Sequence, residues 1–221
     1  MNWFIVPRLR PRPKRGRYPD WKPAIAKNCR HQCVYCTISE GEYGGIDNFH
    51  VEHFRPKSRF KKLENDIDNL FVACAICNRF KSDEWPGNPR KRGNAATFLD
   101  PGMADYHQHM RLVGPSVFLE GKTVAGAFMV ERLFLNREQL LISRRYRTAL
   151  AILQAAIAYF DKELGKLAVK GAPGKALMLQ VTKISFKLNQ LQAQLATARP
   201  YKAGATQRAR TKVRPAKRPK R

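Results

Sequence analysis

Between Cys33 and Lys81 the chain reads CVYCTISEGEYGGIDNFHVEHFRPKSRFKKLENDIDNLFVACAICNRFK. It contains two Cys-x-x-Cys pairs, Cys33/Cys36 and Cys74/Cys77, separated by the 37 residues from 37 to 73. Four thiolates at about 2.3 Å complete a tetrahedral zinc with no open position, so the spacing predicts a structural metal site rather than a catalytic one. A redox dithiol would need only one such pair. The fifth cysteine, Cys29, makes an odd count, which argues against a disulfide framework. It is expected to be a buried or free thiol.

Around the knuckles the local signals are short. Gly41, Gly44 and Gly45 mark a turn, and IDNFHVEHF then reads as a strand-like run ending at Pro56. KSRFKKLEND is polar and predicts a loop. NLFVAC is an apolar run of strand length, and CNRFKSDEW opens a helix that Pro86 ends. Strand, loop, strand and helix, closed at each side by a cysteine pair, make a ββα unit stapled by metal. The expected fold class is α+β.

The rest of the composition sets the surroundings. The chain has 221 residues, of which 43% are hydrophobic and 10% aromatic, enough for a packed core. Its 42 Lys and Arg against 17 Asp and Glu give a formal net charge of +25. Residues 1–30 hold nine of these cations against one acid, Asp20, and residues 202–221 hold nine and no acid. Nucleic acid is the commonest partner of such a surface, because each neutralised phosphate releases counterions. An anionic membrane is a poorer partner, since the tail has no apolar face to insert. No window of 18 uncharged apolar residues exists, so no membrane span is expected. The amino end, MNWFIVPRLRPRPKRGRYPD, places only a five-residue apolar patch before charge. It does not read as a secretory signal, and the expected location is cytoplasmic.

The chemistry-bearing residues lie between the knuckles. Val-Glu52-His53-Phe-Arg55-Pro, then Ile-Asp-Asn69-Leu, then Cys-x-x-Cys-Asn78-x-x-Lys81 resembles the HNH endonucleases over about residues 29–85. The family's last letter is often His; Asn78 stands there, as in the family's His-Asn-Asn variant. The resemblance implies a ββα-metal fold that cleaves phosphodiesters. It makes His53 the general base, since a neutral imidazole can accept a proton from water at physiological pH. Glu52 and Asn78 would ligate a catalytic Mg²⁺ or Mn²⁺ with hard oxygens. Asn69 would orient the loop bearing His53, and Arg55, Lys57 and Lys81 would contact phosphates. His50 lies three residues before His53, on the opposite face of a strand, and is given no catalytic role. His107 and His109 form a pair with no third ligand in view.

Downstream, ATFLDPG reads as a short strand and turn, and residues 111–130 as apolar runs broken by Gly and Pro. From about Met129 the three-and-four spacing predicts a long helix, with Asn136 as its cap and Gln139 three residues on. ALMLQVTKISFKLNQLQAQLATA predicts a second amphipathic helix, ending near Pro200. The chain therefore divides into a basic arm (1–28), a nuclease unit (29–100), a mainly helical accessory region (101–200) and a disordered basic tail (201–221). The Phe-Leu-Asp-Pro of residues 98–101 and the Leu-x-Leu-Asn-Arg of residues 133–137 are similar to HNH proteins of the Septu and retron-associated anti-phage systems. That similarity implies an ABC-type ATPase partner. The leading expectation is a metal-dependent endonuclease on double-stranded DNA with little sequence preference. The alternatives are a zinc-stapled nucleic-acid-binding protein without catalysis and a subunit active only beside an ATPase.

Overall fold

The computed structural model describes residues 1–13, 15–87, 96–114 and 117–169, together with 174, 179 and 181–190. At its centre is a two-stranded antiparallel sheet of β1 (Phe49–His53) and β2 (Leu70–Cys74), followed at once by helix α2 (Ala75–Lys81). The register pairs Phe49 with Cys74, Val51 with Val72 and His53 with Leu70. All five residues of β2 are buried, which is why LFVAC is apolar without alternation. Helices α1 (Lys22–Asn28) and α2 pack against it. Pro23 at its first turn favours α1, and Arg30 and His31, both at φ 54, then turn the chain into the first knuckle.

The basic segment before α1 lies along this unit. Trp3 and Val6 are buried, with Trp3 Nε1 donating to Tyr35 O at 3.0 Å and Val6 N to Pro101 O at 2.8 Å. Arg12 reaches Asp68 at 2.5 Å, and Trp21 Nε1 donates to Arg15 O at 2.8 Å. Nearly all its cations remain exposed.

Beyond the ββα unit come a short helix α3 (Tyr106–His109), a hairpin of β3 (Met110–Val113) and β4 (Phe118–Gly121), helix α4 (Val124–Arg132) and the long helix α5 (Glu138–Val169). Thr123 caps α4, its side chain accepting from Gly126 N. Helices α3 and α4 approach closely enough that a Cβ on Gly126 would sit 1.9 Å from His109 O. One core runs from Trp3 through the knuckles to Leu133, Leu135 and Leu140, crossing both boundaries drawn at residues 28 and 100.

Two sequence expectations are corrected here. Residues 97–100 form no strand. Leu99 N instead donates to Met129 Sδ and Leu99 O accepts from Tyr106 Oη, while the turn follows at 101–103. Asn136 does not cap α5. Its Oδ1 accepts from Leu119 N and its Nδ2 donates to Leu119 O, both at 2.8 Å, so it serves β4 as a substitute strand. Residues 181–190 are helical; the rest of the expected second helix and the basic tail lie outside the described residues, apart from Leu179. No helix among the described residues is long and apolar enough to cross a membrane.

The dependence of the core on the arm can be measured. Trp3→Ala should cost about 3 kcal/mol, read as a lower urea midpoint of the zinc-saturated chain; an unchanged midpoint would separate the arm from the core.

Candidate functional site

The metal centre comes first because it sets the strand ends. The turn after Cys33 is tight, with Thr37 at φ 58, Thr37 N donating to Cys33 O and Cys33 N to Ile38 O. Cys74 is both the last residue of β2 and the N-cap of α2, so Cys77 in the first helical turn returns to it, and Cys77 N donates to Cys74 Sγ at 3.5 Å. The four sulfurs lie within 4.8 Å of one another and all four residues are buried. Cys36 and Cys74 Sγ are 3.8 Å apart, about the edge of a tetrahedron with 2.3 Å bonds and far from a disulfide. The donor set fits zinc. Cys29 is buried outside this group, and burial pushes its thiol up to about 12, so it stays protonated at neutral pH.

Along β1 lies a cleft of about 310 Å³ lined by His53, Glu52, Asn78, Lys57 and Tyr18, with Arg79, Asp83 and others. The His53 ring is set by two neighbours. Its Nε2 lies 2.9 Å from Glu64 O, and a carbonyl only accepts, so Nε2 carries the proton and Nδ1 keeps its lone pair. Tyr18 meets the ring edge-on at 4.7 Å. Burial favours the neutral ring and pushes His53 below the ordinary histidine value, outweighing the Glu64 hydrogen bond, which pulls the other way.

Behind His53, Asn69 acts as a clamp on the chain that follows it. Its Oδ1 accepts from Arg55 N at 2.8 Å and its Nδ2 donates to Arg55 O at 3.0 Å. Asp66 starts the turn that delivers Asn69, its side chain accepting from Asp68 N. The Arg55 side chain is half-buried, and Lys57 is exposed on the cleft rim. Lys57 Nζ donates to Tyr18 Oη at 2.7 Å and lies 3.5 Å from Glu64 Oε1.

Helix α2 covers the other face of β1. Asn78 Nδ2 donates to His50 Nδ1 at 3.3 Å, which leaves the Asn78 amide oxygen unengaged by that contact. One turn on, Lys81 corrects a sequence expectation. It is fully buried, with Nζ 2.6 Å from Glu52 Oε1 and donating to His53 O at 3.1 Å, so it cannot reach a bound phosphate. The apolar packing around α2 explains this: the ammonium enters the interior because a carboxylate is there to receive it. Tyr35 Oη also donates to Glu52 Oε1, at 3.2 Å. Both partners hold the same oxygen, so the second one keeps its lone pairs in a residue that lines the cleft. Burial pushes the Glu52 carboxyl up against the pull of Lys81. One carboxylate oxygen and one amide oxygen are hard donors that fit a divalent ion retaining most of its water.

Elsewhere, His109 Nδ1 contacts Thr123 Oγ1 at 2.9 Å, and the His107 ring packs against Trp3. Neither joins a ligand group among the described residues. Sequence reasoning missed Tyr18 and Asp83. Tyr18 lies in the basic arm with no motif around it, and only the fold brings it to His53. Asp83 follows α2, after Ser82 at φ 46 has turned the chain back toward the cleft.

The zinc reading predicts about one metal ion per chain. Cys77→Ser should lose it, as measured by elemental analysis, and should lower the thermal midpoint together with it; full folding without metal would sink that reading.

In a comparison with known families, residues 33–84 match the model described as HNH endonuclease. No curated protein and no solved structure matches the chain. The protein therefore carries a small ββα HNH-type unit with a four-cysteine metal site, followed by helices.

Proposed function

We propose that the chain is a divalent-metal-dependent endonuclease that hydrolyses DNA phosphodiesters with little sequence preference. The observation that carries this reading is His53 itself, a neutral imidazole whose Nε2 is committed to Glu64 O and whose Nδ1 is left to accept a proton. It opens on a cleft that also holds Glu52 and Asn78. In the proposed reaction a water oxygen attacks phosphorus, its proton passes to His53 Nδ1, and the bond to the leaving oxygen breaks. Glu52 and Asn78 would hold the Mg²⁺ or Mn²⁺, which supplies charge neutralisation at the phosphate and leaving oxygen. Lys81 aims the Glu52 carboxylate and pulls it toward the ionised form against burial. Asn69 keeps the backbone after His53 from sliding. Lys57, Arg55 and Arg79 offer cations for the neighbouring phosphates, and the exposed arm extends the basic surface. Such contacts hold the backbone without reading bases.

The narrower proposal, a nuclease in anti-phage defence or restriction working beside an ABC-type ATPase, has one supporting observation. Helix α5 exposes Ile142, Tyr146, Ile152, Tyr159 and Phe160, more apolar surface than a solitary helix needs. Inertness of the isolated chain in Mg²⁺, relieved by the ATPase, would select this version.

Plasmid cleavage is expected in Mg²⁺ or Mn²⁺ and not in EDTA. His53→Ala should lower the rate about 10²- to 10⁴-fold while leaving DNA binding intact; cleavage undiminished in that variant would overturn the assignment. The pH profile has a fixed sign. Because the His53 value is depressed, the base is protonated only in acid, so kcat/KM should rise with pH to a break below 6.5 and be level above it. A break above 6.5 would point to another base.

A further inference from the structure

The four-sulfur centre carries charge that its own loops leave uncompensated. Four thiolates around Zn²⁺ sum to −2, and the knuckle residues between the ligands, Val34, Tyr35, Ala75 and Ile76, are neutral. The compensation comes from a segment well outside the nuclease unit. Arg137, in the turn between α4 and α5, points one nitrogen at three of the sulfurs: 3.6 Å to Cys77, 3.7 Å to Cys74 and 3.8 Å to Cys36. Near-equal distances to three vertices put the nitrogen over one face of the tetrahedron, opposite Cys33. The other terminal nitrogen donates to Leu133 O and Phe134 O, at 3.2 and 3.3 Å, which fixes the guanidinium plane.

Two turns along α5, Arg144 is buried and donates to Val117 O, Leu135 O and Asn136 Oδ1. The hydrogen-bond acceptors of these two guanidinium groups are thus neutral oxygens and the cysteine sulfurs. A buried cation without a counter-charge is costly. A dianionic metal centre alongside removes that cost and accounts for placing both arginines there.

We propose that Arg137 is an outer-sphere partner of the zinc centre, its N–H···S hydrogen bonds drawing charge off three thiolates and tying metal retention to the docking of α5. Hydrogen-bonded thiolates are weaker nucleophiles and weaker bases, so they hold their metal longer against chelators and competing ions. The helical region then acts on the nuclease unit through the metal as well as through apolar packing. This holds whether or not the cleft is a nuclease.

The test uses the full chain loaded with zinc for release kinetics and with Co²⁺ for spectroscopy. Arg137→Met keeps the aliphatic stem and removes donors and charge. It should pass zinc to a chromogenic chelator about tenfold faster than wild type, and its sulfur-to-cobalt charge-transfer band should move to lower energy. Arg147→Met is the control. Arg147 fastens α5 to Thr37 O at 3.0 Å and to Glu42 at 3.6 Å with no hydrogen bond to sulfur, so its loss should leave the band in place. A wild-type band and release rate in Arg137→Met overturn the proposal. So does equal acceleration in Arg147→Met with neither band moved, since docking alone would then explain retention. Should Arg137→Met not fold, Arg137→Lys takes its place: a band shifted part of the way supports the proposal, and an unshifted band with wild-type release overturns it.

Discussion

The junction between β2 and α2 is the point on which the rest of the molecule turns. Cys74 ends the strand and caps the helix, and its sulfur joins that of Cys77 to the pair from the first knuckle. A two-stranded sheet is marginal in water by itself. Here the crosslink fixes both its end and the entry of α2. The register then follows, with Phe49 opposite Cys74 and His53 opposite Leu70. Once α2 is fixed, Asn78 and Lys81 fall over His50 and Glu52 without further provision.

Elements with strong local signals were legible in the sequence. The two cysteine pairs, the apolar run of β2 and the three-and-four spacing of α5 each express one dominant constraint. What could not be read was where polar side chains would find partners. Lys81 looks like a surface cation until Glu52 and Tyr35 surround it. Asn136 carries a helix-cap pattern, yet the open backbone of Leu119 outcompetes the helix end for it. These choices depend on residues far away in sequence, and no periodicity encodes them.

The candidate cleft shows the same division. Glu52, His53, Asn69 and Asn78 stand within one short stretch whose pattern can be recognised. Two of the groups that support the unit come from outside that stretch. Tyr18 meets His53 from the arm, and Arg137 meets three sulfurs from the helical side. The Leu-x-Leu-Asn-Arg of residues 133–137 is visible as a pattern, but that its Asn serves a hairpin and its Arg a metal centre is a property of the fold.

The contact between Val6 and Pro101 has a consequence for synthesis. The arm leaves the ribosome well before its backbone partner, which is translated almost a hundred residues later. Until then the arm's eight cations, with Asp20 the one acid among them, are open to any polyanion nearby. Trp3 can find Tyr35 earlier, so an apolar anchor is available before the hydrogen bond is. The order of emergence thus sets packing of the arm against capture by a polyanion, and Trp3 is the apolar anchor on the folding side.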